Sequence, residues 1–363
     1  MTICGPVLVV NAGSSSIKAS LYEDHGALLW HQERSWPAAD SVDHLDHLSG
    51  ELDDWLPQAM EPWLDQLQLI GHRVVHGGEK FRSPTYLSAD VLNSIESLVP
   101  LAPLHNGPAL AVMRWVSRWQ PSLPQWACFD TAFHATLPLE ACTYALPISW
   151  RKRGLRRYGF HGLNHQHISE QVNQRAAEFL PVSRHAPLRL ISCHLGSGCS
   201  LCAILDGQSI ATTMGFTPLE GLVMGTRCGS IDPGLLLFQL RQGMAQEELD
   251  HVLNSESGLL GLSELSADMR TLRVAADSGN STAQLALDVF LHQLLQGICA
   301  MAASLNGVDV IALTGGIGEH DDALMAELSE RLAWLRPFSL VRIPADEEGL
   351  IARSCKAASM EAG

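Results

Sequence analysis

The sequence predicts an α/β protein made of two related domains, and three observations predict it. The first is length, since 363 residues is about two domains' worth of chain. The second is an internal repeat. VLVV-NAGSSS-IKASLYEDHG from Val7 and RLISC-HLGSGC-SLCAILDG from Arg189 share one plan: apolar strand, Gly/Ser turn, apolar strand, acidic-Gly turn. The copies begin about 180 residues apart, half the chain, so each half opens with the same hairpin. The third is that short apolar runs rich in β-branched residues lead into Gly-rich turns or long helical stretches.

The elements follow in order. Residues 7–10 read as a buried strand, Asn11 to Ser16 as a tight turn, and Ile17 to Tyr22 as a second strand. Residues 35–66 are polar, with helical pieces. Leu69 to Val75 is apolar and runs into His76-Gly77-Gly78; residues 88–120 read as mostly helical. Gln125 to Phe129 is a short strand ending at Asp130-Thr131, and residues 164–179 read as helix. Leu188 to Cys193 and Ser200 to Leu205 form the second hairpin, residues 281–305 are helical, and Val308 to Leu313 is a strand leading to Thr314-Gly-Gly-Ile-Gly-Glu319. No low-complexity linker separates the halves, which favours a cleft over a flexible tether.

Composition excludes several classes. Apolar residues make up 46% and charged residues 17%, enough for a core and too apolar for a disordered chain. The net charge of -15 repels polyphosphate, so general nucleic-acid binding is not expected and any phosphate site must be local. The start, MTICGPVLVV, has no basic n-region and long apolar core, and no uncharged apolar stretch reaches 18 residues, so neither a signal peptide nor a membrane span is expected. Nine scattered cysteines fit a reducing cytoplasm better than a disulfide framework. Cys199 and Cys202 form a lone CxxC that reads as buried strand residues, because no second pair completes a metal site. Most of the 16 histidines, such as those in residues 44–48, read as solvated. The basic run 151–157 reads as a solvated loop or as help for an anionic ligand.

Three Gly-rich turns follow apolar strands: Asn11 to Lys18, His194 to Gly198, and Gly315 to Glu319. Glycine lets backbone N–H groups approach phosphate closely, while Ser hydroxyls and Lys18 add donors and charge. Neither GxxxxGK[ST] nor GxGxxG ahead of a helix is present, so nucleotide binding would use hairpin turns.

NAGSSSIK, GHRVVHGGEKF, LAPLHN, FDTAFH, YGFHG, GFTPLEGLVMGTRCG, TGGIGE and IPADEE occur in this order. By these blocks, which span nearly the whole chain, the sequence resembles the acetate kinase (acetokinase) family. That family belongs to the acetate and sugar kinase/heat-shock-70/actin superfamily. The resemblance implies two duplicated actin-like (ribonuclease H-like) domains with a nucleotide cleft between them, a homodimer, and reversible phosphorylation of acetate to acetyl phosphate by direct in-line transfer from ATP. ATP/ADP is the cosubstrate and Mg2+ the metal, with Mn2+ as a substitute. The expected partition is 1–146, with 346–363 packing back on it, and a nucleotide-binding domain over 147–345.

Carried over one position at a time, Asn11 matches the metal-associated Asn and Glu347 the metal-associated Glu. Ser14, Ser16 and Lys18 match the first phosphate turn. His194, Leu195, Gly196, Ser197 and Gly198 match the second. Asp268, Met269 and Arg270, with Gly316, Ile317, Gly318, Glu319 and His320, match nucleotide contacts. Arg73 matches the arginine that binds the substrate carboxylate. Asp130 matches the catalytic Asp, and His161 and Arg227 match transition-state stabilisers. Val75, Leu104, Phe160 and Pro218 match the small apolar pocket around the acyl methyl, and His105 a loop residue near it.

Three departures stand out. Ser197 replaces the family's usual Asn, His320 replaces another Asn, and Ala345-Asp346 precede Glu347 where Thr-Asn is usual. The chain is also shorter than usual, mainly between residues 35 and 66.

Acyl phosphate formation brings two anions together, so cations must gather between them. Arg73 and Arg227 suit this, because guanidinium stays charged and grips carboxylate or phosphate in two-pronged fashion. His161 supplies a donor, protonated or neutral. Acetate is already ionised at pH 7, so a general base is not required, and Asp130 reads equally well as an orienter of arginine or a holder of metal-bound water. Rival readings are a propionate or butyrate kinase of the same family, which the pocket would decide, and a heat-shock-70-like ATPase, for which the chain leaves no room for a peptide-binding domain.

Overall fold

The computed structural model describes residues 5–13, 16–24, 26–35, 43–179 and 187–362, with backbone only at 43–47 and 104. The chain divides into two compact units: one runs to Ala135 and resumes at Asp346, and the other is Thr136–Ala345.

In the first unit, β1 (Val7–Ala12), β2 (Ser16–Tyr22), β3 (Leu28–Ser35), β4 (Leu69–Val74), β5 (Thr85–Tyr86) and β6 (Gln125–Phe129) form one sheet in the order β3-β2-β1-β4-β6-β5. The first three strands form an antiparallel meander, and β4 and β6 lie parallel to β1. β1 is buried at every position, as its apolar run Val7–Val10 requires for a central strand covered on both faces. The Pro103–Trp119 helix packs against β1 and β4, as does the Glu347–Ala362 helix. At Gly71 in β4 a Cβ would lie 2.9 Å from Ile351 Cγ2, so glycine there lets the C-terminal helix seat on the sheet.

The second unit repeats the plan. Its strands are β7 (Arg189–Leu195), β8 (Cys199–Leu205), β9 (Gln208–Thr212), β10 (Val310–Thr314) and β11 (Ser339–Arg342), in the order β11-β10-β7-β8-β9. β7-β8-β9 is again an antiparallel meander, and β10 and β11 again run parallel on the far side of its first strand. The duplicated hairpin in the sequence is thus the visible part of a duplicated sheet.

Four details differ from the sequence reading or sharpen it. Gly315 to Glu319 lies in a short helix, Gly315–His320, that starts directly from β10, so only two of the three Gly-rich segments are hairpin turns. Five histidines, His72, His76, His134, His165 and His167, are buried. Burial pushes the first two down to about 4, where they stay neutral at physiological pH. Cys199 and Cys202 are buried in β8, and desolvation lifts both thiols to about 12, against metal or redox duty. The Ser281–Ser304 helix is long and apolar enough, by length and composition, to cross a membrane. Here it packs on β8 and three neighbouring helices, with Leu287, Phe290, Leu294, Ile298 and Met301 forming one buried stripe at helical spacing.

Candidate active site

In the first unit three adjacent parallel strands deliver polar groups at their carboxyl ends, the edge where α/β sheets bind ligands. Asn11 lies near the end of β1, Arg73 near the end of β4, and Asp130 directly after β6, its N–H donating to the Val74 carbonyl at 3.0 Å. Asp130 is buried and grips Arg73 with both oxygens: Nε donates to Oδ1 at 3.1 Å and NH2 to Oδ2 at 2.6 Å. Arg73 NH1 donates to Asn11 Oδ1 at 3.2 Å. Burial works against the Arg73 charge, but Asp130, Glu347 and Glu348 outweigh it and hold the guanidinium firmly protonated.

Glu347 and Glu348 open the C-terminal helix. Glu347 lies 3.8 Å from Arg73 Nε, and Glu348 accepts from Asn11 Nδ2 at 2.8 Å. Glu348 thus joins the candidate site, and the motif reading passed over it, although its place beside Glu347 in the same block was a signal. Burial raises the Glu347 pKa, Glu348 adds to the rise, and Arg73 and Lys18 only partly oppose it. Asp346, where the family usually has Asn, accepts the Gly349 N–H at 3.0 Å and so caps the turn carrying both glutamates, a task either residue type performs.

The first Gly-rich turn is only partly described, since Ser14 lies outside the described residues. Ser16 donates to Glu33 at 2.9 Å, and Lys18 is half-buried on the same face of β2. Val75 is buried just beyond β4; its neighbours His76 and Gly77 are pinned by Asn106 and Thr131, at 3.0 Å each. Neither anchor was singled out in the sequence, although both lie inside quoted blocks. Leu104 and His105 sit in the first turn of the Pro103–Trp119 helix.

In the second unit His161 precedes the Gly162–Gln174 helix with φ of 56°, a left-handed conformation that a non-glycine residue adopts at a cost. Its ring packs on His194 with centroids 4.2 Å apart, and its Nδ1 lies 2.9 Å from Ser200 Oγ. His194 Nδ1 lies 2.8 Å from Asn164 Nδ2. The His194 to Gly198 turn links β7 to β8. Leu195 is buried, the Gly196 N–H donates to the Gly198 carbonyl at 3.1 Å, and the exposed Ser197 accepts the Gly225 N–H on its carbonyl at 3.0 Å. A Cβ at Gly198 would lie 3.3 Å from His161 Nε2 and 3.6 Å from Arg227 NH1, so this glycine admits both side chains to the turn.

Arg227 NH1 donates to the Pro218 carbonyl at 3.1 Å and lies 3.8 Å from the Met224 thioether. The loop bearing Pro218 is itself braced. Glu220 accepts from the Tyr144 hydroxyl and from Arg157 at 2.5 Å, while Arg157 also caps the Thr213 and Met214 carbonyls at 2.9 Å each. Within the basic run, Arg157 is therefore a scaffold for this loop. Phe160, next to His161, is core.

The remaining expected nucleotide contacts also have structural tasks. Asp268 caps the Met269–Asp277 helix through the Thr271 N–H at 2.9 Å, which lowers its pKa, while Met269 is buried and Arg270 exposed. Any contact from Met269 would therefore come from its backbone. Glu319 Oε1 accepts the N–H groups of Gly315 and Ala345 at 3.0 Å each, closing the turn after β10. Gly316 and His320 are exposed, Gly318 is buried, and Ile317 is half-buried.

Three comparisons bear on this arrangement. The family model described as "Acetokinase family" matches residues 30–337. An acetate kinase of Synechococcus sp. is 45% identical over 91% of this chain and 87% of its own. One of Protochlamydia amoebophila is 41% identical over 96% and 98%. Among solved structures, Porphyromonas gingivalis acetate kinase aligns with a TM-score of 0.84 at 30% identity, covering 98% of this chain and 99% of its own. A propionate kinase from Francisella tularensis aligns at 0.83 with 33% identity, covering 96% and 98%. With a matched model over most of its length and relatives above 40% identity across nearly all of it, this chain belongs to the acetokinase family.

Proposed function

We propose that this protein transfers the γ-phosphoryl group of ATP to acetate, reversibly, giving acetyl phosphate and ADP. The observation that carries the substrate side is the state of Arg73. Among the described residues, three of its five N–H groups are taken up by Asp130 and Asn11, leaving one on each terminal nitrogen. That pair is what a carboxylate needs for two-pronged binding. Asp130 acts as a positioning residue: its two oxygens fix the plane of the guanidinium, and acetate has no proton for it to remove. On the phosphate side, the second Gly-rich turn, Arg227 and His161 hold the transferring group and neutralise charge as it spreads over the equatorial oxygens.

Mg2+ fits the first unit by the chemistry of its donors. Asn11, Asp130, Glu347 and Glu348 present hard oxygen atoms, and the raised Glu347 pKa marks a surplus of carboxylate that a divalent cation relieves. Among the described residues no three His, Cys, Asp or Glu side chains are grouped to hold a metal by themselves. Asn11 and Glu347 would therefore hold it through water and the ATP phosphates. When bound, Mg2+ neutralises phosphate charge.

A homodimer is the favoured assembly. Leu235, Leu237, Phe238 and Leu240 of the Pro233–Arg241 helix, with Ile231 just before it, are 39% to 57% exposed, an apolar patch of the kind that self-association covers. Eight free cysteines among the described residues agree with a reducing cytoplasm.

The test is incubation with ATP, Mg2+ and hydroxylamine against acetate, propionate and butyrate. Hydroxamate from acetate in excess over both longer acids is expected. A preference for propionate would turn the reading to a propionate kinase, and no hydroxamate from any acid would end it.

A further inference from the structure

Behind His161 a line of polar groups runs into the core of the second unit. His161 Nδ1 lies 2.9 Å from Ser200 Oγ, that oxygen lies 2.9 Å from His165 Nε2, and His165 Nδ1 lies 2.8 Å from Ser192 Oγ. His165, Ser192 and Ser200 are all buried. The fold builds this line directly. Ser192 and Ser200 sit on the antiparallel neighbours β7 and β8, and His165 lies one helical turn after His161, its N–H donating to the His161 carbonyl at 3.0 Å.

Ser200 carries one hydroxyl hydrogen and meets two imidazole nitrogens, so it donates to one and accepts from the other. The protons of the two neutral rings are therefore coupled. If Ser200 donates to His161 Nδ1, it accepts from His165 Nε2, and the His161 proton lies on Nε2. If the line runs the other way, the His161 proton lies on Nδ1 and Nε2 keeps a lone pair.

We propose that Ser200 and His165 are positioning residues that hold neutral His161 with its proton on Nε2, so that the ring donates a hydrogen bond to the transferring phosphoryl group. The inference rests on the reading of His194 to Gly198 as a phosphate turn. His161 Nε2 and Arg227 NH1 both flank Gly198 of that turn. A lone pair there opposes an anion, whereas an N–H welcomes one. The titratable groups facing His161 among the described residues include Arg227, whose guanidinium flanks the same glycine, and His194, whose ring packs on it, with His165 beyond Ser200. A ring whose tautomer is fixed from behind supplies the donor without a second charge.

The direct test is 15N NMR of the full-length protein carrying 15N-imidazole histidine, with the His161 signals assigned by difference against His161→Gln. At pH 7.5 the wild type is expected to show a proton on Nε2 and none on Nδ1. In Ser200→Ala the fixed tautomer is lost. There kcat should fall by about 10-fold at pH 8, the scale of one lost orienting hydrogen bond, with both KM values within about twofold. The kcat should then recover toward acid pH, where both ring nitrogens are protonated. A wild-type proton on Nδ1 overturns the proposal whether or not the variant folds, as does a Ser200→Ala enzyme with native kcat and an unchanged pH profile. The two readings fail separately: His161→Gln with native kcat would remove the catalytic role of His161, whereas the NMR result reads the proton without substrate.

Discussion

Arg73 and Arg227 are the same residue type in opposite surroundings. Arg73 sits among carboxylates: Asp130 grips it with two oxygens, Glu347 lies 3.8 Å away, and Asn11 takes a further N–H. The partners of Arg227 include a backbone carbonyl and a thioether. A guanidinium locked in a buried ionic network has its orientation fixed and much of its charge answered, which suits holding a carboxylate in place before transfer. The Arg227 contacts to Pro218 and Met224 leave the guanidinium beside Gly198 of the second Gly-rich turn, where charge develops during transfer on the proposed reading. On the proposed function, Arg73 is the binding side of the chemistry and Arg227 the rate-determining side.

The largest effect that sharpens this contrast is expected at Arg227. Arg227→Ala should lower kcat by roughly 100-fold or more, the range for lost electrostatic stabilisers, with the acetate KM little changed. Steady-state kinetics at saturating ATP reads both, and a near-native kcat breaks the contrast outright.

Next comes the acyl chain. Val75 is buried two residues beyond Arg73, and its β-branched side chain is stiff. If Val75 walls the acyl pocket as proposed, one added methylene has to displace packed atoms at a cost of about 1–3 kcal/mol. Wild type should therefore favour acetate over propionate by roughly 5- to 150-fold in kcat/KM. Val75→Ala should narrow that ratio mainly through KM, because a methyl contact is felt equally in ground and transition states. An unmoved ratio removes Val75 from the specificity wall.

The smallest effect concerns Glu347. Burial holds its folded pKa above the ordinary carboxylate range, with Glu348 adding to the rise. A raised carboxylate gives stability that is fully present at low pH and lost as pH rises through the folded value. Ionised Glu347 therefore weakens the metal-free fold at neutral pH. Glu347→Gln should melt about 1–3 °C higher at pH 7.5 without Mg2+, with the gain gone near pH 4. The same variant should need more Mg2+ for half activity. A lower melting point, or an unchanged Mg2+ requirement, contradicts the placement of this residue.

The duplicated sheet was legible in the sequence because both hairpins are written in period-two apolar runs around Gly/Ser turns. The short Gly315–His320 helix was not, since its glycines read as a turn and Glu319 closes it through the N–H groups of Gly315 and of Ala345, 26 residues from Glu319 along the chain. Arg73, Asp130 and His161 were singled out through the blocks that contain them. The contacts that each makes within its own unit were harder to see. Glu348 was overshadowed by Glu347, and Ser200 is an ordinary strand residue until β7 and β8 pair. His165 left one trace, its spacing of four from His161, which becomes meaningful only once that segment is a helix. Pairwise contacts over long sequence separation, such as Asn11 with Glu348, leave no local pattern to read.

The division of labour between the two arginines is tested most directly by exchanging each for lysine, which keeps the charge and loses the fork. Acetate KM and kcat are measured side by side for Arg73→Lys and Arg227→Lys. Arg73→Lys should raise the acetate KM by about 10-fold or more while kcat stays within a few-fold, and Arg227→Lys should do the reverse. An Arg73→Lys enzyme with native acetate KM and depressed kcat would contradict the assignment of carboxylate binding to the first unit.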